Sequence, residues 1–330
     1  MPDTVTIRSH FEPPVLLRGR HLQSILAGWP PRQPLVRRQA KEFLEISTDV
    51  IVDCGEGVRL LGHRTPAANS NRRSLAVFIH GWEGSAESMY ILSVANRLWR
   101  EGYDVFRLNL RDHGDSHHLN EKLFHSCRLR EAIGAVLSIQ QKVPNESLNL
   151  VGFSLGGNFA LRIAADGPSA GLKLKQVVAI CPVLDPAQTL DALENGWSGY
   201  HIYFIKKWRE SLMKKMRAFP DTYNFSNLKQ FSSLREMTDH FVTTYSGFPD
   251  LHTYLRGYAL TGARLSELEI LSTMLLAEDD PVIPIAGLDR IARVPSLTVE
   301  RSTFGGHCGF LVDYWMRSWL DEYVLLTLER

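Results

Sequence analysis

The sequence is poor in every feature that would tie it to a membrane, a polyanion or an oxidising compartment. Its 330 residues hold four cysteines (Cys54, Cys127, Cys181 and Cys308), with no C-x-x-C pair and no dense framework. That usage reads as free thiols in a reducing compartment. No uninterrupted apolar run approaches the roughly 20 residues of a spanning helix. Met1 to Arg20 is polar, bears prolines and lacks the short apolar core of a secretory signal. The expectation is a soluble, cytoplasmic protein. Charge of one sign is missing too: 37 Lys and Arg face 36 Asp and Glu, a net charge of +1. So small an excess excludes bulk electrostatic binding to nucleic acid and leaves only a local, peripheral contact with lipid open. There is no internal repeat and no low-complexity tract.

What is present is apolar matter in a regular rhythm. Hydrophobic residues make up 44% of the chain, enough for a large core. Pro13, Pro14, Pro30, Pro31 and Pro34 make residues 1–40 read as an irregular arm wrapped over a domain. From Glu42 to His63, β-rich runs around Gly55-Glu56-Gly57 predict two or three antiparallel strands. Strands and helices then alternate: strands at Leu75–Ile79, Val105–Leu110, Leu148–Val151 and Val177–Cys181, with helical spacing at 88–100, 133–139 and 158–165. Such alternation predicts βαβ units and a mostly parallel sheet flanked by helices. The rhythm breaks after Asp185-Pro186. Residues 185–266 are helical in pattern and rich in aromatics, which predicts a helical lid inserted between two strands. Strands resume at Leu271–Ala277 and Leu297–Val299, and an amphipathic helix over Phe310–Leu328 is expected to close the chain. The sheet domain therefore comprises 41–184 and 267–330. Ligands in such sheets bind beyond the carboxyl ends of the strands, where the lid would lie.

Gly152-Phe153-Ser154-Leu155-Gly156 is a G-x-S-x-G sequence between a strand and a helix. That is the setting of a nucleophile elbow, where the residues two before and two after the serine must lack bulk. The helix N-terminus there favours developing negative charge. His80-Gly81-Trp82-Glu83-Gly84 ends an earlier strand, and the backbone N–H groups of Trp82 and Leu155 are the expected oxyanion donors. In Glu278-Asp279-Asp280-Pro281, just past a strand, Asp280 is the favoured acid and Asp279 the runner-up. His307 lies among glycines between the last strand and the last helix. The chain order Ser154, Asp280, His307 is that of the α/β-hydrolases. A rival reading concerns Arg111–His118 and His125, which gather imidazoles and carboxylates as metal sites do. Their spacing fits no metal motif and an elbow needs none, so they read as a polar loop at the edge of a site. No metal and no cofactor is expected.

Several landmarks together resemble the YheT-like branch of the α/β-hydrolases, which includes lipid-hydrolysing animal relatives. They are His21-Leu22-Gln23-Ser24-Ile25 preceded by Phe11-x-Pro13; His80-Gly81-x-Glu83-Gly84-Ser85; Gly152 to Asn158; Asp239-His240-Phe241 with Thr243, Gly247 and Phe248; Ala277-x-Asp279-Asp280-Pro281; and Gly305-Gly306-His307-x-Gly309-Phe310. Two departures stand out. Asp112 occupies a loop position where many such proteins have glycine. No histidine has an aspartate five positions later, so the H-x4-D acyltransferase signature is absent. The resemblance implies an α/β-hydrolase fold and a serine esterase or lipase acting on a small acyl ester, with a Ser154–His307–Asp280 triad. Thioester, lactone or amide cleavage by the same residues is the alternative, followed by a non-catalytic ligand-binding protein. Oligomeric state is not legible. Trp197, Tyr200, Tyr203, Phe204, Trp208 and Phe241 of the lid read as an acyl pocket or as its own packing. Lys206, Lys207, Arg209, Lys214, Lys215 and Arg217 read as a solvated helix face, with anionic lipid headgroups as the alternative contact.

Overall fold

The computed structural model describes residues 4–68 and 74–330. The first three residues of the arm lie outside them. The chain begins with strand β1 (Val5–Arg8), then helices α1 (Arg20–Ala27), α2 (Gln33–Gln39) and α3 (Lys41–Glu45). A hairpin of β2 (Thr48–Asp53) and β3 (Arg59–Thr65) follows. The alternating part is β4 (Ser74–Ile79), α4 (Met89–Arg100), β5 (Asp104–Leu108), α5 (Leu129–Lys142), β6 (Ser147–Phe153), α6 (Leu155–Asp166) and β7 (Gln176–Ile180). Four helices come next: α7 (Pro186–Asn195), α8 (Ser198–Ala218), α9 (Leu234–Tyr245) and α10 (Leu251–Gly257). Then β8 (Leu271–Ala277), β9 (Leu297–Ser302) and α11 (Leu320–Leu328) complete the chain.

The nine strands form one sheet in the order β1-β9-β8-β7-β6-β4-β5-β3-β2. All neighbours are parallel except β5–β3 and β3–β2. Central strands are buried on both faces, which is why β4, β6 and β7 read as continuous apolar runs rather than alternations. One apolar cluster gathers residues of α5 and α6 on one face, with Ala135, Ile139, Phe159 and Ile163 under the sheet. The other gathers α4 and α11, with Ile91, Leu98, Val324 and Leu328. The result is three layers, with β6 near the centre.

Three expectations need correction. Residues 1–40 are not irregular: besides two helices they supply β1, a parallel edge strand on β9. All four of its residues are exposed, so it has no apolar alternation to read. The β-rich stretch from Glu42 begins in α3; its strands start at Thr48. The final helix is α11 alone. Phe310 (φ 48°) and Met316 (φ 60°) sit in the left-handed region, and a turn joins Met316 N–H to Asp313 O, so the aromatics of 310–319 lie on a loop despite their helical spacing.

Candidate active site

The elbow follows from packing at the β6–α6 junction. A Cβ on Gly152 would stand 2.2 Å from Gly156 O, and one on Gly156 would stand 2.2 Å from Ile79 O. Glycine at these two positions lets α6 start directly over β6 and against β4. The turn between them leaves Ser154 at φ 54°, ψ −119°, a strained conformation for a residue with a side chain. Backbone bonds hold it there: Ser154 N–H donates to Ile180 O at 2.8 Å, and Ser154 O accepts from Asn158 N–H at 3.1 Å. Leu155 begins α6, so its N–H has no acceptor within the helix.

His307 comes from the loop after β9, and Asp280 from the loop after β8. His307 Nε2 lies 3.0 Å from Ser154 Oγ, and Nδ1 lies 2.9 Å from Asp280 Oδ2. The Asp280 side chain is almost fully buried; its other oxygen, Oδ1, accepts N–H bonds from Val282 (2.8 Å) and Ile283 (2.9 Å). These bonds assign Nδ1 as the protonated nitrogen of the neutral imidazole and leave Nε2 as acceptor for the serine hydroxyl. Burial opposes charge on His307, but the Asp280 carboxylate, Cys308 and the direct hydrogen bond to Asp280 together outweigh it, and the pKa is raised to about 9. Asp279 points elsewhere: its Oδ1 accepts from Gly306 N–H at 2.9 Å, and burial raises its carboxyl pKa. The loop presenting Trp82 lies against the elbow, since a Cβ on Gly81 would meet Ser154 Cβ at 3.1 Å. Trp82 in turn stacks on Phe204 of α8 (5.1 Å, 9°) and meets Trp208 edge-on at 5.5 Å. Burial pushes the neighbouring Glu83 carboxyl up to about 8. The other aromatics of 185–266 divide: Phe241 packs on Trp208, Tyr203 meets Phe204 edge-on and is half exposed, and Trp197 and Tyr200 pack on His21.

The support behind His307 was not singled out from the sequence. Ser24 Oγ on α1 accepts the His307 N–H at 2.8 Å and donates to Arg20 O at 2.7 Å. Gln23, beside it, is fully buried and ties Leu17 O to Leu311 O and N–H. The signal was the H-L-Q-S stretch itself. Its serine and glutamine hold the histidine loop, and His21 Nδ1 lies 3.2 Å from Tyr200 Oη on α8.

The polar loop has its own partners. His113 Nδ1 donates to Arg111 O at 2.7 Å, and His117 Nε2 lies 2.9 Å from Ser211 Oγ. His80 is fully buried; Nδ1 donates to Gly81 O and Nε2 accepts from Leu110 N–H at 3.1 Å. Burial lowers these imidazoles, His80 and His117 to about 3 and His113 to about 4. Asp112 adopts φ 58°, a region that aspartate tolerates better than most residues. Its Oδ1 accepts from Lys215 Nζ at 2.8 Å and its Oδ2 from Phe124 N–H at 2.8 Å. Lys215 is 1% exposed and also donates to Asn120 O, so this one lysine of α8 is buried, against the expectation of a solvated face. Among the described residues no group of three metal-ligating side chains converges. The four cysteines are unpaired, and no described helix is long and apolar enough to cross a membrane.

Comparison with known proteins agrees with the fold. The chain is 25% identical over 320 residues to "Putative esterase YheT" of Escherichia coli, covering 94% of this chain and 91% of that one. It is 20% identical over 253 residues to phospholipase ABHD3 of Bos taurus, a match that spans 76% of this chain and 61% of the longer relative. The solved esterase Pf2001 of Pyrococcus furiosus superposes with a TM-score of 0.56 at 14% identity, over 88% of this chain and 93% of that one. Residues 77–314 match the family model described as alpha/beta hydrolase fold. The chain belongs to the α/β-hydrolase fold family.

Proposed function

We propose that the protein is a serine hydrolase that cleaves carboxylic esters through an acyl-enzyme. Ser154 is the nucleophile, His307 the general base and Asp280 the orienting acid. One observation carries the reading: the unbroken series Ser154 Oγ, His307 Nε2, His307 Nδ1, Asp280 Oδ2, with links of 3.0 Å and 2.9 Å, on a serine in a strained left-handed turn. As Ser154 Oγ attacks an ester carbonyl, His307 takes its proton and Asp280 stabilises the imidazolium. The Trp82 and Leu155 amides receive the oxyanion, an arrangement in which each donor contributes roughly a hundredfold or more in rate. His307 then returns the proton to the leaving alkoxide, and water repeats the attack on the acyl-enzyme. The chemistry calls for no cofactor.

An apolar acyl group suits the site, because Trp82, Phe204 and Trp208 crowd the side of the loop presenting Trp82. Residues 185–266 then act as a lid on a core of 41–184 and 267–330, with 1–40 as an arm that braces the histidine loop. Relatives named esterase, phospholipase and monoacylglycerol lipase support ester cleavage as the reaction class. Wild-type protein is expected to hydrolyse p-nitrophenyl acyl esters and to take a fluorophosphonate label, and Ser154→Ala to lose both. Labelling that survives in Ser154→Ala overturns the assignment.

A further inference from the structure

Helix α8 has a second side that the hydrolase reading leaves unused. Its inner side sets Phe204 and Trp208 against Trp82, and Lys215 against Asp112. The outer side and the segment 229–232 form the two walls of an open groove of about 810 Å³. That volume lies within the range of small-molecule sites, about 300–1,000 Å³. Two contacts tie the walls together. His201 Nε2 lies 3.2 Å from Ser232 O, and an Nη of Arg209 donates to Phe231 O at 2.6 Å.

Among the described residues, five cations line the groove itself (Lys206, Arg209, Lys214, Arg217 and Lys229), with Glu210 as the single carboxylate. Lys206 meets Glu210 at 4.0 Å and Lys214 meets Asp115 at 3.9 Å, long pairs between exposed groups that water weakens. Glu236, near Ser232, is committed to the cap of α9, where it accepts the Ser232 and Ser233 N–H groups. Arg209, Arg217 and Lys229 have no ion pair among the described residues, and Arg209 Nε is buried without an acceptor. Lys206 and Arg209 stand three residues apart on α8, as do Lys214 and Arg217, and like charges so spaced repel. An anion in the groove would relieve that repulsion. The lining also has a direction: Ile202 and Ile205 lie in the first half of α8, Lys214 and Arg217 in its last turns. From Ile202 to Arg217 the helix rises about 22 Å, room for an extended acyl chain. Three cations without a carboxylate exceed the single charge of a fatty acid. They suit a phosphate monoester, which carries about −1.5 to −2 and accepts guanidinium in a bidentate manner. A bilayer is a poorer occupant, because the cations line a concavity and a membrane surface is flat.

We propose that the outer groove of α8 binds a single-chain amphiphile with a phosphate monoester head. The chain lies along Ile202, Ile205 and Phe231, and the head meets Arg209, Arg217 and Lys229. The groove is on the side of α8 turned away from Trp82. The proposal stands whether or not the protein hydrolyses esters.

Calorimetric titration of the full chain with dissolved lysophosphatidate, below its micelle concentration, tests it. The titration uses the Ser154→Ala protein, so that turnover at the proposed nucleophile cannot consume the probe. Saturable binding is expected. Lysophosphatidylcholine, which keeps the chain but is zwitterionic, is expected to bind about tenfold more weakly or worse. Glycerol phosphate, which keeps the head but lacks the chain, is expected to bind about a hundredfold more weakly. Adding Arg217→Gln/Lys229→Gln is expected to cost about tenfold in lysophosphatidate affinity, with an unchanged thermal melt, because both side chains are exposed and unpaired among the described residues. Absence of saturable lysophosphatidate binding overturns the proposal, as does equal affinity for either comparison ligand or undiminished affinity in the double variant. Should the protein instead float with phosphatidate vesicles and leave dissolved lysophosphatidate unbound, the groove is a bilayer contact and the proposal fails.

Discussion

Acidification from neutrality to about pH 5 is expected to destabilise the fold through buried histidines outside the proposed triad. His80 and His113 are buried side by side, ring centroids 4.8 Å apart, and burial holds their pKa values at about 3 and about 4 instead of 6.5. Both values are lowered by folding, so the unfolded chain takes up more protons. The stability tied to neutral imidazoles is fully present above 6.5 and is lost as pH falls toward the folded values. At about pH 5 each group costs about 2 kcal/mol relative to neutrality, or about 4 kcal/mol for the pair. That is a large share of the ~5–15 kcal/mol by which domains are stable. The geometry explains why the rings resist: His80 Nε2 already accepts the Leu110 N–H, and His113 Nε2 is buried with no partner to receive a proton's charge. His307 moves the opposite way, its folded value being raised, so its contribution is present below 6.5 and lost as pH rises through about 9. Between neutrality and about pH 5 it changes by only about 1 kcal/mol. His113→Phe isolates the effect. It sacrifices the bond to Arg111 O, about 1 kcal/mol at neutrality, but should shrink the loss between the two pH values by about 2 kcal/mol. Urea unfolding at both pH values, with unchanged m, measures this. An acid loss identical in wild type and His113→Phe would refute the reasoning.

Other outcomes follow from the same contacts. Asp280→Asn should lower kcat on p-nitrophenyl esters by about ten-thousandfold while leaving the fold intact, because it presents the wrong tautomer to Ser154; steady-state kinetics beside a thermal melt will show it. Ser24→Ala removes the acceptor of the His307 N–H and should slow fluorophosphonate labelling about tenfold or more through misplacement of the base, with little change in KM. Lys215→Met strands the Asp112 carboxylate in the interior and should cost about 3–5 kcal/mol in urea unfolding, part of which Asp112→Asn/Lys215→Met should restore.

The sheet and its site were legible to different depths for physical reasons. β4, β6, β7 and β8 are buried on both faces, and burial wrote them as apolar runs with little ambiguity. The elbow was legible because a Cβ at 152 or 156 would stand 2.2 Å from a backbone oxygen, so only glycine fits there. Asp280 and His307 stood out as candidates because each sits just past a strand, and the preference for Asp280 over Asp279 agrees with their partners, His307 Nδ1 for the one and Gly306 N–H for the other. β1 was illegible: its pairing with β9 is a main-chain matter and its side chains stay in water. α1 was illegible for a related reason, since it buries glutamine and exposes leucine and isoleucine. The helical spacing of Phe310, Tyr314 and Trp315 misled because periodicity carries no information about a left-handed residue such as Phe310 or Met316.

The pairing of β1 with β9 has a consequence for biosynthesis. Val5 lies opposite Thr298, and Ser24 reaches His307, so Val5 and Ser24 find their partners only after residues 298 and 307 have left the ribosome. Contacts that distant in sequence form late and slowly. A nascent chain stalled before the last strand would have its serine turn translated but neither its edge strand seated nor its base in place. The proposed chemistry would therefore begin only after His307 has been made and seated.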